Sequence, residues 1–216
     1  ATAKGKRMIL IGQYDSPFVR RVGVAMRLMG VPFEHRSWST FGDGDKLAAY
    51  NPLRRVPTLV LDDGEALIES SAILDHLDEA AGPDRALIPR SGHARRAALR
   101  IVSLATGMAD KAVALFYERA LHPVASDIWT ARCRLQIGGA LDALEAARAA
   151  QPGDWWFGRG PGHADIAAAC ALRFLRDSSP GVFDPASWPA LAAHADRAEA
   201  MAVFREISQP FAPPAG

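Results

Sequence analysis

The run Arg55-Val56-Pro57-Thr58-Leu59-Val60, followed after the turn residues Asp62-Asp63-Gly64 by Leu67-Ile68-Glu69-Ser70-Ser71, admits few folds. Proline cannot donate to a sheet ladder, so Pro57 at the head of a β-branched run belongs at a strand's first position or on an edge. The stretch therefore reads as a strand entered through proline, a hairpin, a second strand and a helix start. A cis Val56–Pro57 peptide is expected, leaving the N–H and C=O of Val56 free to pair with an extended peptide as an added strand. Glu69 and Ser70 put a carboxylate and a hydroxyl at a helix N-terminus, where unpaired N–H groups and the helix dipole favour an anion. Together these features suit a small zwitterionic peptide, with Glu69 and Ser70 expected to line a cleft.

The flanking chain completes one small α/β domain. Arg7-Met8-Ile9-Leu10-Ile11 ends at Gly12 and reads as a buried strand. Pro17 opens a helix in which Val19, Val22, Met26 and Met29 recur at helical spacing until Gly30 stops it. Pro32–Ser37 is a second strand, and a short helix around Lys46–Tyr50 ends at Asn51-Pro52. This order, a βαβ unit followed by ββα, is the thioredoxin-like arrangement. Turn residues from Ala81 to Pro89 form a linker, and everything beyond reads as helix. A long helix runs from about Gly92 to Ala120 and a second from about Ser126 to Ala149. Ile166 to Leu175 is apolar on nearly all sides and is expected to be a buried central helix. Two domains follow, 7–82 and 91–210.

Charge and composition exclude several classes of function. A formal net charge of +1 over 216 residues, with arginines scattered, offers no surface for nucleic acid. No apolar run reaches membrane-spanning length and no leader opens the chain, so a cytoplasmic address is expected. Cys133 and Cys170 lie in helical patterns and form no Cys-x-x-Cys pair, and the six histidines are dispersed, so no metal is expected. Ala1–Lys6 reads as an upstream extension without a function.

Ser16-Pro17-Phe18, Asn51-Pro52-Leu53, Val56-Pro57-Thr58-Leu59, Glu69-Ser70-Ser71-Ala72-Ile73 and Ala164-Asp165-Ile166 occur in an order and spacing that resemble the cytosolic glutathione transferase superfamily, in its bacterial type with a Ser-Pro-Phe motif. The resemblance covers nearly the whole chain. It implies a thioredoxin-like N-terminal domain that binds glutathione and an all-helical C-terminal domain with a pocket for an electrophile. Glutathione is then a co-substrate, with Val56 pairing through its backbone beside Pro57, Glu69 taking the γ-glutamyl ammonium and Ser70 its carboxylate. Arg55 is a weaker candidate for the glycyl carboxylate. Two positions depart from the family pattern: Arg54 replaces a glycine, and Gly162 replaces the Ser or Thr that caps the buried helix, leaving Asp165 to a structural role.

Free thiols titrate near 8.5 and react as thiolates, so the task is to stabilise a sulfur anion. Ser16, a hydroxyl at a helix N-terminus, does this through a hydrogen bond and the dipole, although Ser before Pro is also an ordinary helix start. Tyr14 is the alternative donor. Serine rather than cysteine at position 16 favours conjugation over thiol exchange. Met108, Val113, Phe116, Tyr117 and Trp129 could line an apolar pocket, but helix-spaced Met and aromatics more often form core. The reading is a glutathione S-transferase acting in detoxification on a small apolar electrophile. The alternatives are a glutathione-binding interaction protein with little turnover and a glutathione-dependent peroxidase. The resemblance also implies a homodimer, with Arg95, Arg96 and Arg100 available to meet Asp62, Asp63 and Glu65 of a second copy.

Overall fold

The computed structural model describes residues 7–213, so the expectation for residues 1–6 lies outside the described residues. The chain divides into two compact units. The first closes at Ala86 and takes in Ile207–Pro210, and the second runs Leu87–Glu206 and includes Phe211.

In the first unit the order is β1 (Met8–Ile11), α1 (Pro17–Leu28), β2 (Phe33–Arg36), α2 (Gly44–Ala48), β3 (Thr58–Val60), β4 (Ala66–Ile68) and α3 (Ser70–Ala81). The four strands form one sheet in the order β2-β1-β3-β4, with β1 parallel to β2 and antiparallel to β3, and β3 antiparallel to β4. Side chains alternate across a strand, so neighbours in β1 serve different layers. Ile11 packs with Val60 and with Leu47 of α2. Leu10 turns to the other face, where Gly23 of α1 comes close to it. Leu10, Ile11 and Leu59 are fully buried, which is why the central strands read as plain apolar runs. The α1 helix begins at an Ser16 N-cap with Pro17 in its first turn, and the chain leaves it through Gly30, whose φ of 68° suits glycine.

The second unit is helical: α4 (Gly92–Leu121), α5 (Asp127–Ala149), α6 (His163–Ser178), α7 (Pro189–Glu199) and α8 (Ala202–Glu206). The α6 helix packs on α4 and α7, and α4 also packs on α5. Every residue from His163 to Leu172 is buried, which agrees with a stretch that carries no polar stripe. Asp165 Oδ2 accepts from the Gly162 N–H at 2.9 Å, and Oδ1 accepts from the Trp156 N–H at 3.0 Å. Gly162 has no side chain to answer with, so only the carboxylate half of a capping box exists. The reason for glycine is space. A Cβ at Gly162 would stand 2.7 Å from the carbonyl oxygen of Leu87, which accepts from the His163 N–H at 2.8 Å. The four-strand mixed sheet with its helices, joined to an all-helical C-terminal part, is the fold expected from the sequence.

Candidate functional site

Strand register gathers the candidate residues. Ile11 of β1 pairs with Arg36 of β2 and Thr58 of β3, and Thr58 pairs with Ile68 of β4. One residue further along each strand, on the same end of the sheet, stand Gly12, Ser37, Pro57 and Glu69. The loop leading to Ser16, the Val56–Pro57 junction and the start of α3 therefore leave the sheet side by side. Gly12 makes the close approach possible. Its φ is 133°, and a Cβ there would lie 2.5 Å from Val19 Cγ2 and 2.8 Å from Val56 Cβ. No other residue fits this corner without strain.

Ser16 is half-buried at the N-cap of α1, and its Oγ accepts from the Val19 N–H at 3.4 Å, a long bond. A hydroxyl that accepts there still has its own proton to donate. Tyr14 has a different environment. It is buried, and its ring stacks on His35 with centroids 3.8 Å apart and planes 8° apart. His35 Nε2 meets the Gly12 carbonyl oxygen at 2.7 Å, so that nitrogen carries the proton and donates. Burial lowers the imidazole pKa, opposed by the Gly12 hydrogen bond, and the ring is neutral under Tyr14.

The Val56–Pro57 peptide is cis. Pro57 is buried and Val56 half-buried. The loop ahead of them is pinned by Asn51, which sequence reasoning passed over as part of a motif without a role. Asn51 is 1% exposed. Its Nδ2 donates to the Arg55 carbonyl at 2.9 Å and reaches Thr58 Oγ1 at 3.3 Å, and its Oδ1 accepts from the Leu53 N–H at 2.9 Å. One buried amide thus holds both ends of the turn that delivers Val56. The Arg55 side chain is exposed. Arg54 has φ 52°, left-handed backbone that glycine would adopt without strain, and its guanidinium pairs with Asp45 at 2.9 Å on the surface.

Glu69 is the N-cap of α3 and has φ 73°, while its carboxylate accepts from the Ser70 N–H at 2.9 Å. The sequence alone showed no structural need for this carboxylate. In the fold it has one, because it occupies a free N–H at the helix start. Glu69 is exposed, whereas Ser70 is only 1% exposed. Among the described residues Arg54 and Glu69 are the two non-glycine residues at positive φ. Such strain persists only where surroundings enforce it, and it collects at ligand-holding positions. Trp38, also overlooked, packs with Val56 and Tyr50 against the Ile11–Leu47–Val60 cluster, with Arg36 5.6 Å and Lys46 5.8 Å from its ring. In the sequence Arg36 precedes Trp38 by two positions and Lys46 follows it by eight, so only the fold brings the two cations to one ring.

The N-terminal family model for glutathione S-transferases matches residues 10–85, and the C-terminal one matches residues 127–197. The chain belongs to the glutathione transferase family. A GST-like protein of Escherichia coli K12, YibF, is 32% identical over 140 residues, covering 64% of this chain and 68% of its own. A glutathione S-transferase of Methylobacterium radiotolerans, solved with glutathione sulfonate, aligns with a TM-score of 0.88 at 32% identity over 97% of this chain and 98% of its own. A glutathione transferase family member of Pseudomonas fluorescens Pf-5, solved with bound glutathione, aligns at 0.80 with 30% identity, covering 94% of this chain and 100% of its own.

In the helical unit, Met108 is core. Phe116 is ringed by Tyr117 and Phe211 at 5.4 and 5.1 Å, with Phe211 also 5.7 Å from Phe174. Trp129 is exposed beside Lys111. No described helix is long and apolar enough to cross a membrane.

Proposed function

We propose that this chain is a glutathione S-transferase that binds glutathione at the end of the β2-β1-β3-β4 sheet and uses Ser16 to hold its sulfur as the thiolate. The observation that carries the reading is the register just described, which brings the loop of Ser16, the Val56–Pro57 edge and the Glu69–Ser70 helix start off one sheet end. The peptide backbone of glutathione pairs with Val56. Its γ-glutamyl carboxylate takes the N-terminus of α3 at Ser70, freeing Glu69 to turn to the adjacent ammonium, while Arg55 stands as a further cation for the glycyl carboxylate. The thiol proton leaves to solvent, and the sulfur anion receives a hydrogen bond from the Ser16 hydroxyl within reach of the α1 dipole. The thiolate then attacks an electrophilic carbon of a small apolar molecule, forming the S–C bond as the leaving group departs with its electron pair. The helical domain is the part of the chain expected to hold that molecule.

Ser16 is preferred over Tyr14 because Tyr14 is buried against His35. The test is the ultraviolet absorbance of bound glutathione thiolate as pH rises, together with turnover. Ser16→Ala is expected to raise the thiol pKa and cut turnover about tenfold to a hundredfold, the worth of one charge-assisted hydrogen bond. A loss confined to Tyr14→Phe would transfer the role to Tyr14. Thiol ionisation without turnover on halides, epoxides, enones or hydroperoxides would favour a binding protein, and turnover confined to hydroperoxides a peroxidase. The reading includes a homodimer with two-fold symmetry, for which exposed Asp62, Asp63 and Glu65 and exposed Arg96 and Arg100 supply complementary charge. A sedimenting species that stays near the 23.2 kDa chain mass as concentration rises would remove the dimer.

A further inference from the structure

The turn that carries Ser16 is held from the far end of the sequence. Ser16 N–H donates to the Gln13 carbonyl at 3.2 Å, closing a four-residue turn. In such a turn the N–H of the second residue has no partner within the turn itself. Here that residue is Tyr14, and its N–H donates to the side-chain oxygen of Gln209 at 2.8 Å. The segment bearing Gln209 is anchored twice more along α1. Arg20, 2% exposed, donates from Nε to the Ile207 carbonyl at 2.8 Å. The Ile207 side chain, 1% exposed, sits over Gly23, where a Cβ would come within 2.9 Å of Ile207 Cγ2 and 3.1 Å of Tyr14 Cε1.

Glycine inside a helix lowers its stability and marks a place where something passes close. In α1 the thing that passes is the Ile207 side chain. Arg20 and Gly23 are three residues apart and share a face of α1, so Ile207–Gln209 runs as a strap along that face to the turn ahead of the helix. The side chain of Gln209 is the last contact of the strap and the one nearest the cap.

We propose that Gln209 is a positioning residue for thiol activation: by accepting the Tyr14 N–H it fixes the Gln13–Ser16 turn and so the direction of the Ser16 hydroxyl. The proposal rests on the transferase reading for its catalytic consequence, but its structural part stands on the hydrogen bonds alone. Without the acceptor, a partly buried N–H is left unsatisfied and the turn gains alternative conformations in which Ser16 no longer faces the sulfur. Substrate binding through Val56 and Glu69 does not depend on that turn, so KM for glutathione should change little while kcat falls.

The experiment compares Gln209→Met, which keeps length but removes the acceptor, with Gln209→Glu, which keeps an oxygen at the same reach, in the full chain. Amide hydrogen exchange followed by NMR at Tyr14 and Val19, the latter capped by Ser16, reads the turn directly. Exchange at both is expected to be about tenfold faster in Gln209→Met and close to wild type in Gln209→Glu. The Met variant should also show a raised pKa for bound glutathione thiol and about a tenfold lower kcat, with KM for glutathione within about twofold. Unchanged exchange at Tyr14 and Val19 in Gln209→Met, or equally fast exchange in both variants, overturns the proposal, as does faster exchange with no change in kcat or thiol pKa. If wild-type protein itself fails to acidify the thiol of glutathione, the transferase reading falls, while exchange at Tyr14 still decides whether the strap holds the turn.

Discussion

The carboxylates of Asp165 and Glu69 both stand at helix N-termini, and they differ in almost every other respect. Asp165 at the start of α6 is 1% exposed, and both its oxygens accept backbone N–H groups, from Trp156 and Gly162. Glu69 at the start of α3 is exposed, spends one oxygen on the neighbouring Ser70 N–H, and sits on left-handed backbone. Burial raises the Asp165 pKa, and the two N–H groups and the nearby Arg148 guanidinium pull it back. A saturated, buried carboxylate of this kind has no capacity left for a ligand. An exposed one with a single, replaceable partner has. The helix dipole is common to both, so saturation and solvent access decide which carboxylate is scaffold and which is left open to the proposed ligand.

The largest expected effect separates them on stability. Asp165→Ala strips two N–H groups of their acceptor, at about 1–3 kcal/mol apiece, so urea unfolding should show a loss of about 4 kcal/mol. Glu69→Ala should cost under about 1 kcal/mol by the same measurement, as exposed sites do.

The surroundings of Asp165 give the next largest effect. His194 is fully buried, its Nε2 3.4 Å from the Asp165 carbonyl oxygen and 3.9 Å from its carboxylate. Burial chiefly, with Arg148 and Arg197 adding to it, depresses the imidazole pKa to about 4 against the pull of the Asp165 carbonyl. The ring is therefore neutral, and the pair is no ion pair at neutral pH. Because the pKa is lower folded than unfolded, the unfolded chain takes up the proton first. Stability present above an ordinary imidazole pKa drains as pH falls from about 6.5 through about 4, by about 3 kcal/mol in all. Denaturation midpoints measured across that range should show the slope, and His194→Gln should flatten it.

Glu69→Gln tests the other carboxylate by affinity. Loss of a charge-assisted bond to an ammonium, about 1.5–3 kcal/mol, predicts glutathione binding weaker by about tenfold to a hundredfold in calorimetry, with the unfolding curve little changed. Equal affinity would mean that the exposed carboxylate is no more a site than the buried one. A smaller effect than these concerns the stability of the cap beside Asp165. Serine is ordinarily the better cap, yet Gly162→Ser should destabilise by about 1–2 kcal/mol, since its Cβ would press on the Leu87 carbonyl.

What could be read from the residues and what could not divides along similar lines. Pro57 ahead of a β-branched run, the Asp-Gly turn and the apolar run through α6 are local signals, and the sheet, hairpin and central helix followed from them. So did the presence of a carboxylate at the start of α3. Its φ of 73° left no trace, because only a glycine or asparagine advertises left-handed backbone and the surroundings force it on Glu69. Arg54 was a partial exception, since its departure from an expected glycine fell where φ is 52°. Gly12 and Gly23 were legible as glycines, but the partners that crowd them, Val56 and Ile207, are distant in sequence. The bond from Tyr14 to Gln209 spans 195 residues, and no local pattern announces such a contact.

That span has a consequence for how the protein comes into being. The first unit includes Ile207–Pro210, so it is not finished when the ribosome has made residue 86. Its strands and first helices can emerge and collapse early, as domains made first generally do. Ile207 and Gln209 follow only after α4 to α8 have been made. Until then the bed along α1 between Gly23 and Tyr14 is bare and the Tyr14 amide has only water. A nascent chain arrested anywhere in the helical half would carry a sheet with an unseated Ser16 turn. On the reading proposed above, competence to ionise a thiol would then have to wait until the whole helical half has been made.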